Sequence, residues 1–208
     1  MSRVTQAHID ARTESITAAA VRVFAAKGFA HATMQDIATE AGLSAGAIYR
    51  YFHSKEEIIE AMGEEMVRKN AIVGEMRAAD NTGEILNGLA DLFFSSLRDP
   101  ATFLGECVEL ELWAEARRNP RVRESLQRGF DGLFEQFTEI IRDAQGRGDI
   151  NPALDPRAVA RVMMASFEGL VIQLATGHDV DVPRYVEALK AMMGGFFWTA
   201  RHEKAGTP

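Results

Sequence analysis

The pentapeptide Gly42-Leu43-Ser44-Ala45-Gly46 fits G-x-S-x-G, the sharp turn that presents a nucleophilic serine in α/β-hydrolases. That chemistry needs a strand before the serine, and an acid and a histidine after it in the order of an α/β sheet. Here MQDIATEA precedes it, capped and spaced as a helix, so the elbow has no frame. His8, His31, His53, His178 and His202 are scattered with no pair at metal-ligating helical spacing, and no metal site is expected. Cys107 lies on an apolar stripe, the setting of a small core residue rather than of a nucleophile. With no polar catalytic cluster, no catalytic residue, enzymatic activity or cofactor is expected.

Residues 44–55 suit a different chemistry, the reading of DNA. A helix that presses its backbone into a major groove about 12 Å wide needs small side chains where it enters. Ser44, Ala45, Gly46 and Ala47 are all small. Glycine inside a helix costs up to about 1 kcal/mol relative to alanine, and close approach to DNA is one reason to tolerate Gly46. Tyr49 and Tyr51 bring hydroxyls, and Arg50 a forked cation, to where phosphates or base edges would lie. Tyr51 serves equally well as a core residue beside Ile48 and Phe52. Lys55 stands in the first turn of a helix, where the macrodipole disfavours a cation by a few tenths of a kcal/mol unless an anion is near. A DNA phosphate would supply one.

The elements that must position these residues are helices throughout. Ile16, Ala20, Val23 and Phe24 follow the i, i+4, i+7, i+8 rule and predict a helix from about Asp10 to Lys27, closed by Gly28 with Phe29 placed for the accompanying apolar contact. Thr33, three residues before Asp36, predicts a short second helix closed by Gly42, and Ser44 caps a third over Ala45 to Tyr51. Two helices joined by a tight glycine turn form a helix-turn-helix pattern. Ser54 with Glu57 forms a capping box that opens a fourth helix reaching roughly Arg77. Asp99-Pro100, Asn119-Pro120 and Asp155-Pro156 each place a capping side chain before a proline and mark three later starts. Pro183 opens the last helix. The expected fold is all-α, about nine helices, with residues 1–55 as the head and 56–208 as the body.

Composition agrees with a folded chain: 47% hydrophobic and 25% charged residues in 208 supply a core without disulfides. The most apolar stretch, Val162 to Ala175, is interrupted by Glu168 and Gln173 and falls short of a clean membrane span, so no membrane partner is expected. MSRVTQAHID has no apolar signal region and Cys107 is the single cysteine, which predicts a reducing cytoplasm. Net charge is -7, but residues 1–55 hold six Lys and Arg against four Asp and Glu. Only that quarter could welcome a polyanion.

The stretch FAAKGFAHATMQDIATEAGLSAGAIYRYFHSKEEI, from Phe24 to Ile58, resembles the DNA-binding domain of TetR-family transcriptional regulators. The likeness lies in KGF after the first helix, the Thr33 start, Asp36-Ile37-Ala38, the AGLSAGAIYRYF turn and recognition helix, and SKEE. The rest is similar in layout to that family's regulatory and dimerisation domain. ELWAEARRNPRVR and the Asp-Pro-started helix ending near Gly177 look more loosely like the branch of the betaine-responsive repressors.

The resemblance implies phosphate contacts at Thr33, Tyr49, His53 and Lys55, and base reading by Ser44, Ala45, Ala47 and Arg50, on a pseudo-palindromic double-stranded operator. One such head touches one half-site, so a homodimer is expected. The last two helices are the candidates: Val159, Val162, Ser166, Gly169, Leu170, Leu174, Leu189, Met193 and Phe196, with capping of the monomer core as the alternative. A small, largely apolar effector is expected among Phe93, Phe103, Cys107, Trp113, Phe130, Phe134, Phe137, Met163 and Phe167, though such stripes are more often core than pocket. Glu168 either orients that ligand or pairs with arginine or solvent. The function expected is a ligand-responsive repressor. The rivals are a helical protein-binding adapter, which would not need small groove-facing residues beside Lys55, and an all-helical enzyme.

Overall fold

The computed structural model describes residues 6–63, 73 and 81–192. Among them every regular element is a helix. The first, α1 (Gln6–Lys27), ends where Gly28 turns to φ +72° and donates its N–H to the Phe24 carbonyl at 2.7 Å. Phe29 folds back edge-on to Phe24, ring centres 5.4 Å apart, which is the contact the glycine stop predicts.

Helix α2 (Met34–Glu40) carries a complete capping box. Asp36 N–H donates to Thr33 Oγ1 at 3.1 Å, and Thr33 N–H donates to Asp36 Oδ2 at 3.0 Å. Gly42, at φ +65°, lets the chain reverse, and Leu43 N–H reaches back to the Ala38 carbonyl at 2.8 Å. Helix α3 (Ala45–Ile48) is shorter than expected, since residues 49–51 form turns. The chain there bends so that Ile48 and Phe52 are both buried. Helix α4 starts after Ser54 and covers residues 55–63, and its expected end near Arg77 lies outside the described residues.

Then follow α5 (Thr82–Ser96), α6 (Pro100–Ala116), α7 (Pro120–Arg147), α8 (Pro156–Ala175) and α9 (Val182–Met192). Each Asp-Pro or Asn-Pro start holds. Asp99 accepts the Thr102 N–H at 2.8 Å, Asn119 the Arg121 N–H at 3.1 Å, and Asp155 the Arg157 N–H at 2.7 Å. Asp181 caps α9 through the Arg184 N–H at 3.1 Å.

The described residues divide into two packed units. The first draws on 1–67 and 104–129, so it extends beyond a boundary at residue 55. The reason is its core: Ile16, Phe24, Ile37, Ile48 and Ile58 pack in one cluster with Val108 and Leu112 of α6 and Val122 of α7. Each fully buried side chain of this size contributes roughly 1.5–3 kcal/mol, so the head's apolar stripes are completed by residues that lie fifty positions or more along the chain. Ser125 adds a buried hydrogen bond to the Ile59 carbonyl at 3.3 Å.

The second unit draws on 68–103 and 130–208. Ile85 and Leu89 of α5, Phe137, Ile140 and Ile141 of α7, and Ala160 of α8 form its core. Thr82 Oγ1 donates to Asp149 at 2.7 Å and accepts from Arg147 at 2.6 Å, tying the start of α5 to the end of α7.

Asp36 also receives Lys27 Nζ at 2.6 Å, and the Lys27 and Thr33 hydrogen bonds hold its carboxyl down from 3.8 to about 2. A carboxylate lowered on folding stabilises the native state above its unfolded value and loses that contribution as pH falls toward the folded one. The stability difference between wild type and Asp36→Asn is therefore constant above about pH 4 and shrinks between pH 4 and 2. Denaturant midpoints measured across that range check this; a difference that does not change with pH would remove Asp36 as a source of acid sensitivity.

Candidate nucleic-acid interface and effector region

The N-terminal end of α3 presents an uncommitted polar and small-residue surface. Ser44, Ala45 and Gly46 are exposed and Ala47 is half-buried. Ser44 occupies the cap position with extended backbone, yet its side chain makes no capping hydrogen bond. Tyr49 is 49% exposed, and Arg50 is exposed with no ion pair among the described residues. Ile48 on the opposite side is fully buried and anchors this short helix to α1 and α2.

Gly46 is informative because the chain itself does not require it. Its φ is not positive, and a Cβ added there would meet no atom within 4 Å. Gly46→Ala should therefore raise stability by up to about 1 kcal/mol, since alanine is the better helix former. If the helix lies against DNA, the same methyl group lowers operator affinity. Chemical denaturation and a binding titration read the two effects separately, and a stabilised variant that binds as well as wild type would remove Gly46 from the interface.

The other predicted DNA residues are placed as follows. Thr33 is exposed, with its hydroxyl engaged in the α2 cap through Asp36. Tyr51 is half-buried and packs against the first core, the alternative weighed for it. His53 is exposed; its backbone N–H donates to Glu57 Oε2 at 2.6 Å, and its Nδ1 lies 3.2 Å from the same oxygen. That N–H is the main reason the Glu57 carboxyl is held below its ordinary value. The α4 cap is thus shifted by one residue from the expected box: Ser54 Oγ accepts the Glu57 N–H at 3.2 Å, but Glu57 returns to His53 rather than to Ser54.

Lys55 corrects an inference from the sequence. Its Nζ donates to the Phe29 carbonyl at 2.5 Å and lies 4.4 Å from the centre of the Phe29 ring. A backbone oxygen and an aromatic face already hold the cation, so its place in the first turn does not by itself demand a phosphate. Sequence spacing could not show this, because Phe29 precedes Lys55 by 26 residues.

In the second unit, Phe93 meets Phe137 at 5.7 Å and Phe167 at 5.6 Å between ring centres, while Phe94 meets Phe167 at 5.6 Å and Tyr185 at 6.1 Å. Phe134 is buried beneath two arginines, Arg157 at 5.0 Å and Arg161 at 4.5 Å from its ring centre. Phe103, Phe130 and Met163 are half-buried members of the same unit. Cys107 and Trp113, expected in the same pocket, belong to the first unit. Cys107 is half-buried, its thiol raised by burial, and Trp113 is 37% exposed. Gln136, which sequence reading passed over, buries its Oε1 with no hydrogen-bond partner among the described residues. An open cleft of about 510 Å3 in the first unit is walled by Phe29, Ala30, His31, Ala114, Glu115 and Arg118, a mixed apolar and charged lining with none of the residues expected to form the effector site.

The predicted dimer residues separate into two groups. Val162 is 64% exposed, whereas Leu170 is fully buried within its own chain, which corrects its assignment to an interface. Val159, Ser166, Gly169, Leu174 and Leu189 are half-buried, and Met193 and Phe196 lie outside the described residues. Helix α8 leaves Val162 and Ile172 on its outer surface, the latter 49% exposed. By length and composition it is also apolar enough to cross a membrane, which the count of clean apolar residues from Val162 onward did not reveal. Glu168 is half-buried, its carboxyl raised by desolvation, and it forms no ion pair among the described residues.

Residues 16–62 match the model for bacterial regulatory proteins of the tetR family, and residues 107–197 match that for the C-terminal domain of BetI-type transcriptional repressors. The chain is 31% identical over 195 residues to YfiR, an uncharacterized HTH-type transcriptional regulator of Bacillus subtilis (strain 168), covering 90% of this chain and 93% of that one. It is similar in structure to a transcriptional regulator from Saccharomonospora viridis in complex with choline, at TM-score 0.74 and 26% identity over 91% of this chain and 98% of that one. The regulator FadR from Bacillus subtilis in complex with stearoyl-CoA shares the fold at TM-score 0.75 and 24% identity, over 88% and 98% of the two chains.

Proposed function

We infer the working of this chain from the premise that it belongs to the TetR family of bacterial regulatory proteins: it is a helix-turn-helix transcriptional regulator, and in our reading it represses by occupying a pseudo-palindromic operator as a cytoplasmic homodimer and leaves when a small effector binds. The observation that carries the DNA reading is the free surface of α3. Ser44 makes no cap bond, Gly46 has open space around it, and Tyr49 and Arg50 are uncommitted, on a helix whose opposite face is anchored in the core.

Ser44, Ala45, Ala47 and Arg50 meet base edges in this reading, while Thr33, Tyr49 and His53 lie toward phosphates, and Lys55 joins them by exchanging the Phe29 carbonyl for a phosphate oxygen. Short side chains read thymine methyls and groove shape. Residues 1–55 are the DNA-reading part. One head touches one half-site, so two copies must place their α3 helices about one DNA turn, roughly 34–36 Å, apart. The second copy covers the outer face of α8, where Val162 and Ile172 are exposed.

The effector occupies the region of Phe93, Phe137 and Phe167. The regulators bound to choline and to stearoyl-CoA are the reason to start with these two molecules as probes. By linkage, an effector that weakens DNA binding must be weakened by DNA to the same factor, typically about 5- to 150-fold.

Selection of duplexes from a random pool, followed by sedimentation of the complex, tests the function. Enrichment of a two-fold symmetric site bound by two copies is expected. Recovery of no sequence above background would instead favour the protein-binding adapter.

A further inference from the structure

The body of the chain is acidic, with seventeen Lys and Arg against twenty-six Asp and Glu over residues 56–208, yet residues 117–123 hold four arginines and no acid. The structure places this stretch in the first unit, with the head, at the corner between α6 and α7. Arg117, Arg118, Arg121 and Arg123 are all exposed, and none forms an ion pair among the described residues. Like charges crowded on one corner repel one another and call for an anion from outside.

The corner is fixed against the head. Asn119 Oδ1 accepts the Arg121 N–H at 3.1 Å and so caps α7, while its Nδ2 donates to Glu56 Oε1 at 3.2 Å at the start of α4. Further along α7, the Ser125 hydroxyl holds the Ile59 carbonyl of α4. Arg121 is close enough to Glu57 to help lower its carboxyl. Arg117 and Arg118 wall the same cleft as Phe29, Ala30 and His31, the turn that leads into Thr33, and the Phe29 carbonyl is the one that holds Lys55. The arginines thus border Thr33, His53 and Lys55 from the turn before α2 and from the start of α4. Glu111 and Glu115 share the cleft further back along α6, and neither pairs with an arginine among the described residues.

We propose that the α6–α7 corner is a second phosphate-binding surface, on which Arg117, Arg118 and Arg121 hold the DNA backbone next to the stretch that α3 reads. This rests on the DNA reading above and extends it from the head to a segment of the body. Duplex DNA presents one negative charge per about 1.7 Å of its axis, so a backbone that passes Thr33 and Lys55 has further phosphates to offer a corner one cleft away. Guanidinium forks match phosphate oxygens in pairs, and such contacts add affinity without regard to sequence. Arg123 is different. It stands about 200° around α7 from Arg121, on the other side of the buried Val122, and is a control of equal charge.

Titration of the full chain with its selected operator and with an unrelated duplex, between about 50 and 200 mM salt, tests this. With two copies on one site, Arg117→Ala with Arg118→Ala removes four contacts, so the slope of log affinity against log salt should fall by about 3 to 4. Operator and unrelated duplex should weaken by the same factor, at least about tenfold, and Arg117→Lys with Arg118→Lys should keep the wild-type slope. Hydroxyl-radical footprints of the wild-type complex should show backbone protection flanking the bases that the operator specifies, a readout that stands even if a variant fails to fold. An unchanged slope in the alanine variant, an equal fall in Arg123→Ala, or protection confined to the specified bases would overturn the corner while leaving the reading by α3 intact. Loss of the preference for operator over unrelated duplex would show that the arginines act by positioning α3, and would overturn it as well. A wild-type chain that binds no duplex would overturn both.

Discussion

Ala47→Glu is expected to abolish operator binding while leaving the fold intact. Ala47 is the third residue of α3 after its cap, Ser44, and is only half-buried. Glutamate at that position after a serine cap completes a capping box, and it adds a negative charge at the positive end of the helix dipole. Helix formation is thus favoured by a few tenths of a kcal/mol or more. Against DNA the same side chain brings a carboxylate, in all four heavy atoms more than alanine, into a surface otherwise made of small residues. Like-charge juxtaposition at an interface costs several kcal/mol, and about 2.7 kcal/mol is already a hundredfold. A loss of at least a hundredfold in affinity, with unchanged helix content and a melting temperature no lower than wild type, is the expected result. Binding within threefold of wild type would show that α3 is not the reading helix.

Leu170→Arg and Val162→Arg should separate cleanly, although the two residues lie on one helix and are both apolar. Leu170 is fully buried, so arginine there loses the packing of the leucine, about 2–5 kcal/mol, and places an uncompensated charge in the second core. Against a total stability of roughly 5–15 kcal/mol, that is enough to unfold the unit or leave it insoluble. Val162 is 64% exposed, so arginine there costs the fold little. It places a charge in the face that the second copy covers in our reading and should yield a folded monomer. Thermal melts by circular dichroism, with light scattering for mass, distinguish the outcomes. A well-folded Leu170→Arg protein would contradict the packing of α8, and a Val162→Arg protein that remains dimeric would place the partner elsewhere.

Much of this molecule was legible before its structure. The glycine stops at 28 and 42, the Thr33 cap and the three starts at Pro100, Pro120 and Pro156 all form as their spacing predicts. These signals are local: a cap or a C-terminal turn is a hydrogen bond between groups at most about five residues apart, so the residues that make it are read together. The same is true of the small, exposed run from Ser44 to Gly46, the surface we propose reads DNA. Even locally the competition can shift by one position, as Glu57 shows in choosing the His53 N–H over that of Ser54.

Tertiary structure decided the rest. Helix α8 is apolar around much of its circumference, so its periodicity, which puts Leu170 on an apolar stripe, did not settle whether that stripe faces the chain's own core or a partner; neighbouring helices made that choice. The aromatic residues read as one set fell into two units for the same reason. Lys55 found a carbonyl and a ring on a distant turn, and the core of the head was completed by Val108, Leu112 and Val122. The sequence by itself determined where most of the described helices begin and which exposed run is built of small residues, because those depend on neighbours along the chain. Which apolar face is buried, and what a long charged side chain pairs with, depend on contacts between residues far apart in sequence, and only the packed structure determines them.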